Sequence, residues 1–192
     1  MQSPKKRPDA PRIHVALIRG INVGPNKRVR MEDLRAMVEG AGFTNARTLL
    51  NSGNVVFDSQ GTPTEESAQR IESAMEKALG WSARVITMSA EELASVVDAN
   101  PLVKVADNSS RLLLGIMADP ADRVKLADIA KQRWGTERIS LPPAPSRAVY
   151  LWMPAGVIAS KLNAAVAKAL GDGITARNWA TMLKLKEMAE QM

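Results

Sequence analysis

The stretch IHVALIRGINVGPNKRVRMEDLRAMVEGAGFTNARTLLNSGNVVF, residues 13–57, decides the fold. Ile13 to Ile18 is a nearly continuous apolar run of strand length. A polar loop containing glycines follows from Arg19 to Arg30. Met31, Leu34, Met37, Val38 and Ala41 then recur at helical spacing, with Gly40 and Gly42 closing the helix. Arg47 to Leu50 and Val55 to Phe57 read as strands joined by Asn51-Ser52-Gly53-Asn54, a composition that favours a tight hairpin. The order is strand, helix, strand, strand.

Downstream the pattern completes itself and then returns. Thr62-Pro63-Thr64-Glu65 offers an N-cap, a proline at the first helical position and a capping carboxylate. The helix it opens carries Ile71, Ala74, Met75 and Leu79 and stops at Gly80. Arg84 to Met88 is a strand, and Ser89-Ala90-Glu91-Glu92 is a second capping box for a short helix ending before Asn100-Pro101. From Arg111 the same order recurs. A strand runs from Arg111 to Met117, and a helix from the Asp119-Pro120 cap to about Arg133. Arg138 to Leu141 and Ala148 to Trp152 are strands around Pro142-Pro143-Ala144-Pro145. A helix from Ala159 to Leu170, a short strand from Gly173 to Ala176 and a last helix capped by Asn178 finish the chain.

The expected fold class is therefore α+β, a tandem duplicated split βαββαβ unit (the ferredoxin-like α/β plait), each copy with an added helix. Residues 1–11 are expected as a disordered basic tail, 12–100 as the first plait, 101–110 as a linker and 111–192 as the second plait. In such a unit the first and third strands are central. Here those strands are almost wholly apolar, so both sheet faces are expected to be covered, by the added helices or by the other half. That makes Tyr150 and Trp152 core residues; a base-stacking platform is the alternative.

Composition narrows the function classes. The chain has 192 residues, 45% apolar and 24% charged, as a soluble globular protein does. The apolar run from Leu112 to Ala118 is far short of the ~20 residues that span a bilayer, so no membrane association is expected. With no cysteine, disulfides, thiolate nucleophiles and cysteine-based zinc sites are excluded, and a cytoplasmic protein is the simplest reading. The net charge is +6, but residues 1–30 hold eight basic residues against Asp9 alone. A protein that neutralises many phosphates spreads its charge over a face of the fold. This distribution suits a small anionic ligand or a solubility tail instead.

Standard catalytic constellations are missing. His14 is the single histidine and sits mid-strand, where a structural role fits best. The acidic pairs Glu32-Asp33, Glu65-Glu66 and Glu91-Glu92 each lie in a helical first turn, where the dipole explains them. No metal site and no cofactor are expected, and the glycine strings of nucleotide-binding loops are absent. Two polar clusters remain. The loop after the first strand and the hairpin between strands two and three fall at one end of a split βαβ sheet. That makes neighbours of Arg19, Gly20, Asn22, Gly24 and Lys27 on one side and Ser52, Gly53 and Asn54 on the other. Glycines admit close backbone approach, amides donate and accept, and the cations attract phosphate or carboxylate. Turn-building alone is the other explanation. In the second half, Lys161 is expected near Arg177, Asn178 and Trp179, where two helix N-termini, a guanidinium and an indole make an anion site with a stacking surface; the alternative has Asn178 as a cap, Trp179 as a core anchor and Arg177 in solvent. The two clusters share a cleft if the halves are suitably inverted.

Residues 19–57, RGINVGPNKRVRMEDLRAMVEGAGFTNARTLLNSGNVVF, together with SKL at 160–162 and RNWATMLKL at 177–185, resemble the bacterial domain-of-unknown-function family 1697. The resemblance implies a pair of α/β plaits in one chain and carries no established activity. The family's motif residues fall on Arg19, Gly20, Asn22, Gly24, Ser52, Gly53, Asn54, Lys161, Arg177, Asn178 and Trp179. The chain departs from the pattern at Pro25 and Ala180, where a second glycine and an asparagine are common. Pro25 removes an N–H from the loop. The function expected from all this is binding of a small anionic ligand, a nucleotide or phosphorylated metabolite, with the reaction open. An RNA- or DNA-binding protein and a protein-interaction adaptor are the alternatives. The sparse aromatics weigh against RNA recognition on a sheet face.

Overall fold

The computed structural model describes residues 12–192; the tail assigned to 1–11 lies outside them. The first half runs β1 (Ile13–Ile18), α1 (Met31–Gly40), β2 (Thr44–Leu49), β3 (Asn54–Asp58), α2 (Thr64–Leu79), β4 (Val85–Ser89) and α3 (Ala90–Asp98). The second runs β5 (Leu112–Met117), α4 (Ala127–Lys131), β6 (Arg138–Ser140), β7 (Ala148–Trp152), α5 (Lys161–Leu170), β8 (Ile174–Asn178) and α6 (Trp179–Glu190). The protein is mixed α+β, with two four-stranded antiparallel sheets in the orders β2-β3-β1-β4 and β6-β7-β5-β8. The first and third strands of each half are central. By internal packing the chain forms two units, 12–93 with 187–192, and Ala94–Lys186.

In the first unit, Ala16, Ile18, Val55 and Phe57 form one sheet face and pack against Leu34 and Val38 of α1 and Ile71 and Met75 of α2. Val15 is paired across the ladder with Val56 and Met88, and all three are wholly buried on the opposite face. Two buried faces account for the nearly continuous apolar run of β1, since alternation marks a strand with one wet face. His14 is buried, with Nδ1 3.2 Å from the Ser67 hydroxyl of α2. Its ring stands edge-on to Phe57 at 5.8 Å, a packing role.

The second unit repeats the scheme. Leu113, Met117, Val149 and Leu151 pack against Leu162 and Val166 of α5. Gly115 leaves room that a β-carbon would take, 2.8 Å from Cδ1 of Ile174 and 2.9 Å from Cγ1 of Val149. On the other face Tyr150 is fully buried, and its hydroxyl donates to the Val96 carbonyl at 2.7 Å. Burial pushes the phenol up to about 12. Trp152 is buried beside it in sequence and in the sheet. Both aromatics are core residues and present no stacking platform.

Three local departures from the sequence expectations have physical causes. The helix expected from 119 to about 133 is a 3-10 segment, Pro120–Leu126, leading into the short α4. Half-buried Arg123 and Ile129 and buried Leu126 recur every third residue, which suits three residues per turn better than 3.6. β2 starts three residues early, with a register break between Thr44 and Arg47 and a left-handed Asn45. No side chain caps α2, whereas the Ser89 hydroxyl does accept the Glu92 N–H at 3.1 Å, as its capping box requires.

Asp58 closes the sheet's far corner. Its carboxylate takes the Arg12 guanidinium at 2.9 Å and the Gln60 N–H at 2.9 Å. Burial opposes ionisation, but the Gln60 N–H, the Arg12 hydrogen bond and charge, and His14 outweigh it and hold the carboxyl below its usual 3.8. A depressed carboxyl stabilises the fold above its unfolded pKa and loses that contribution as pH falls through the folded value. Asp58→Asn should lower the thermal midpoint at pH 7, and the gap to the parent should close as the pH falls through the folded value. A gap that stays constant with pH would contradict this assignment.

Candidate functional site

Two backbone contacts fasten the loop after β1 to its surroundings. The Ile18 N–H donates to the Gly53 carbonyl at 2.7 Å, and the Arg19 N–H donates to the Arg84 carbonyl at 2.8 Å. Gly53 is left-handed (φ 73°), and a β-carbon there would lie 2.9 Å from the Ile18 carbonyl oxygen. The hairpin tip therefore rests directly on the end of β1. Asn22 braces the same junction. It is left-handed (φ 56°), and its N–H donates to the Lys27 carbonyl at 3.0 Å. Its side-chain amide donates to the carbonyls of Val29 (2.9 Å) and Asn51 (2.8 Å), while its Oδ1 accepts the Val29 N–H at 2.9 Å. Loop and hairpin, about thirty residues apart in the chain, are one rigid piece, and buried Val29 anchors the loop's return.

The remaining residues of this cluster divide by exposure. Gly20 and Gly24, both left-handed, stand in open space. Ser52 is exposed and accepts from the Asn54 amide at 2.9 Å. Asn54 is not a turn residue but the first of β3. It is wholly buried, with its amide also donating to the Leu49 carbonyl at 3.0 Å. It shapes the hairpin from inside. Lys27 is exposed, its ammonium 5.1 Å from the centre of the Trp81 ring, a cation–π distance. Arg19 is half-buried at the strand end.

Beside Asn22 and Asn51 opens a cavity of about 740 Å³, lined further by Arg28, Arg30 and Arg35, by Glu32 and Asp33, and by Val29 and Met31. No side chain caps α1, which starts at its edge. Arg30 is ion-paired with Glu32. Arg28 and Arg35 have no hydrogen-bond or ion-pair partner among the described residues. Sequence reasoning passed over Arg35 and assigned Asp33 to the helix dipole and Asn51 to the turn, because a lone exposed arginine and a first-turn carboxylate carry no signal until the loop returns beside the helix.

The second-unit cluster is differently disposed. The α5 N-terminus, where Lys161 sits exposed, is already served by protein groups. The Ser160 hydroxyl accepts the Asn163 N–H at 2.9 Å, and the Glu137 carboxylate accepts the Leu162 N–H at 3.1 Å. Asn178 caps α6, accepting from the Thr181 N–H (2.9 Å) and hydroxyl (2.7 Å). Arg177 donates to the Thr175 hydroxyl and the Ala176 carbonyl, both at 2.9 Å. Trp179 is half-buried, its backbone N–H on the Ser109 carbonyl at 3.1 Å. An internal carboxylate already occupies the position a ligand anion would take at α5. Among the described residues no three His, Cys, Asp or Glu side chains are grouped to hold a metal ion, and no helix is long and apolar enough to cross a membrane.

Comparison with known proteins bears on the fold. The family model described as "Protein of unknown function (DUF1697)" matches residues 12–146, which takes in the first cluster and stops short of Lys161 and Arg177 to Trp179. No curated protein matches the chain. Among solved structures, the conserved bacterial protein SP0830 from Streptococcus pneumoniae is similar, with a TM-score of 0.75 and 20% identity, over 93% of this chain and 98% of that one.

The two loop glycines make a matched test of the loop–hairpin contact. Gly24→Ala meets no atoms and bears only the left-handed strain, about 1 kcal/mol. Gly53→Ala adds a clash with backbone and should cost about 2–4 kcal/mol in urea unfolding. Equal losses would mean that the hairpin tip does not press on β1.

Proposed function

The chain belongs to the DUF1697 family of proteins of unknown function, and from that premise we propose that its first unit binds a small anionic ligand, a nucleotide or phosphorylated metabolite, beside the start of α1. The observation that carries this reading is a pair of guanidiniums without a partner among the described residues, Arg28 and Arg35, on one cavity with Asn22 and Asn51. Arg28 on the braced loop and Arg35 on α1 are both exposed and without a partner among the described residues, open to a phosphate or carboxylate, which guanidinium binds through paired hydrogen bonds. The cavity's volume lies within the ordinary range for small-ligand sites. Gly20, Gly24 and Lys27 belong to the same loop but do not line the cavity. The second-unit cluster offers less, since its helix N-termini are satisfied internally.

Each half is best described as a ferredoxin-like plait with an added helix, and the central position of its first and third strands supports this. The bacterial source of the similar structure supports a bacterial protein, and a chain without cysteine suits the reducing cytoplasm. An RNA-recognition role on the second sheet is disfavoured by the burial of Tyr150 and Trp152.

Calorimetric titration of the full chain with AMP, ribose 5-phosphate and inorganic phosphate tests the binding reading. Arg28→Ala and Arg35→Ala should each weaken binding by about 1.5 kcal/mol or more, the scale of a charged hydrogen bond, with thermal midpoints unchanged. Lys161→Ala should leave it intact. Binding that ignores both arginine variants would remove the site from this cavity.

A further inference from the structure

Five charged side chains line the first-unit cavity: Arg28, Arg30, Arg35, Glu32 and Asp33. Arg30 and Glu32 neutralise one another. Arg28, Arg35 and Asp33 have no partner among the described residues. All three are exposed, so the cavity offers a ligand two guanidiniums and one carboxylate. A bare inorganic anion answers the guanidiniums and leaves Asp33 facing a like charge. A polyphosphate brings still more negative charge toward the same carboxylate, and like charges in proximity repel. A ligand matched to all three side chains carries one anionic group and, next to it, neutral hydrogen-bond donors for a carboxylate, which when ionised only accepts.

Resting on the anion-binding reading above, we infer that the ligand is the phosphomonoester of a polyol, such as a sugar phosphate or ribonucleoside monophosphate. Its phosphate lies on Arg28 and Arg35, and its vicinal hydroxyls donate to Asp33. Val29 and Met31 supply apolar lining to the same cavity, against which the carbon face of a sugar packs. The Asn51 side chain adds a donor and an acceptor at the edge. Asp33 here sets specificity, separating hydroxyl-bearing monoesters from simple anions. Selectivity of this kind arises because a polar group covered by a ligand without a matching partner loses its hydrogen bonds to water.

The test is calorimetric titration of the full chain and of its Asp33→Asn variant with AMP, 2′,3′-dideoxy-AMP, ribose 5-phosphate, ATP and inorganic phosphate. The expected result is that AMP and ribose 5-phosphate bind about tenfold or more tightly than dideoxy-AMP, ATP and phosphate, the scale of a hydrogen bond to a charged group. Asp33→Asn should erase that advantage and leave the thermal midpoint in place. If instead all five bind alike through Arg28 and Arg35, or ATP binds best, or Asp33→Asn tightens every anion, the hydroxyl assignment is wrong while the anion site stands. If neither AMP nor ribose 5-phosphate binds but inorganic phosphate does, the assignment is likewise wrong. If none binds, the anion-binding reading falls with it.

Discussion

Gly53 lies against the end of β1 so closely that the Ile18 carbonyl oxygen and side chain fill the space of its missing β-carbon. Much of the first unit's local geometry follows from this approach. It brings the β2–β3 tip over the strand end, which puts the Asn51 carbonyl within reach of the Asn22 amide. Asn22 then holds Val29 from both sides of its peptide, and Val29, being buried, fixes where the chain enters α1. The positions of Arg28 before that helix and Arg35 within it are consequences of a contact at neither residue. Two asparagine and glycine residues in left-handed backbone, the types that adopt it at least cost, make the arrangement affordable.

The two halves share a strand order and differ where chemistry would reside. Between β1 and α1 the first half carries the long basic loop from Arg19 to Arg30. At the corresponding place the second half passes from β5 through Ala118 and Asp119 straight into its 3-10 segment, with the Asp119 carboxylate accepting the Ala121 N–H at 2.8 Å. There the helical start is closed by its own side chain. The repetition is one of architecture; in the first copy the helix that follows the first strand starts without a side-chain cap, beside Arg28 and Arg35.

The elements read most readily from the sequence were those whose partners are near in the chain or whose pattern is long. The apolar runs of β1, β5 and β7 announced sheets with two covered faces. Gly80, left-handed with its N–H on the Glu76 carbonyl, marked the end of α2 as such a glycine should. The proximity of the Arg19 loop and the Ser52 to Asn54 hairpin followed from topology alone. The assignment of Asn54 to the turn missed that the hairpin closes one residue earlier, over Leu50 to Gly53, with Leu50 in left-handed backbone, a conformation that no propensity favours for leucine. The cavity was illegible for a different reason. Its lining comes from a loop's return, a helix's first turns and a hairpin tip, none of which has a periodic signal. Which of its charges are spent on one another is a property of distances alone.

Tyr150 is the sole tyrosine of the chain, and its hydroxyl is sealed beneath Val96. Its ionisation is therefore delayed to about 12, whereas an unfolded tyrosine ionises near pH ~10. Between those values the phenol stays neutral for as long as the second unit holds together and becomes phenolate once it opens. The ultraviolet absorbance of phenolate thus gives the molecule an intrinsic optical gauge of one unit's integrity, free of any introduced label. By the same linkage, alkali draws stability from that unit as pH rises from the unfolded toward the folded value. The second unit is the part of the molecule in which a phenol limits endurance in base.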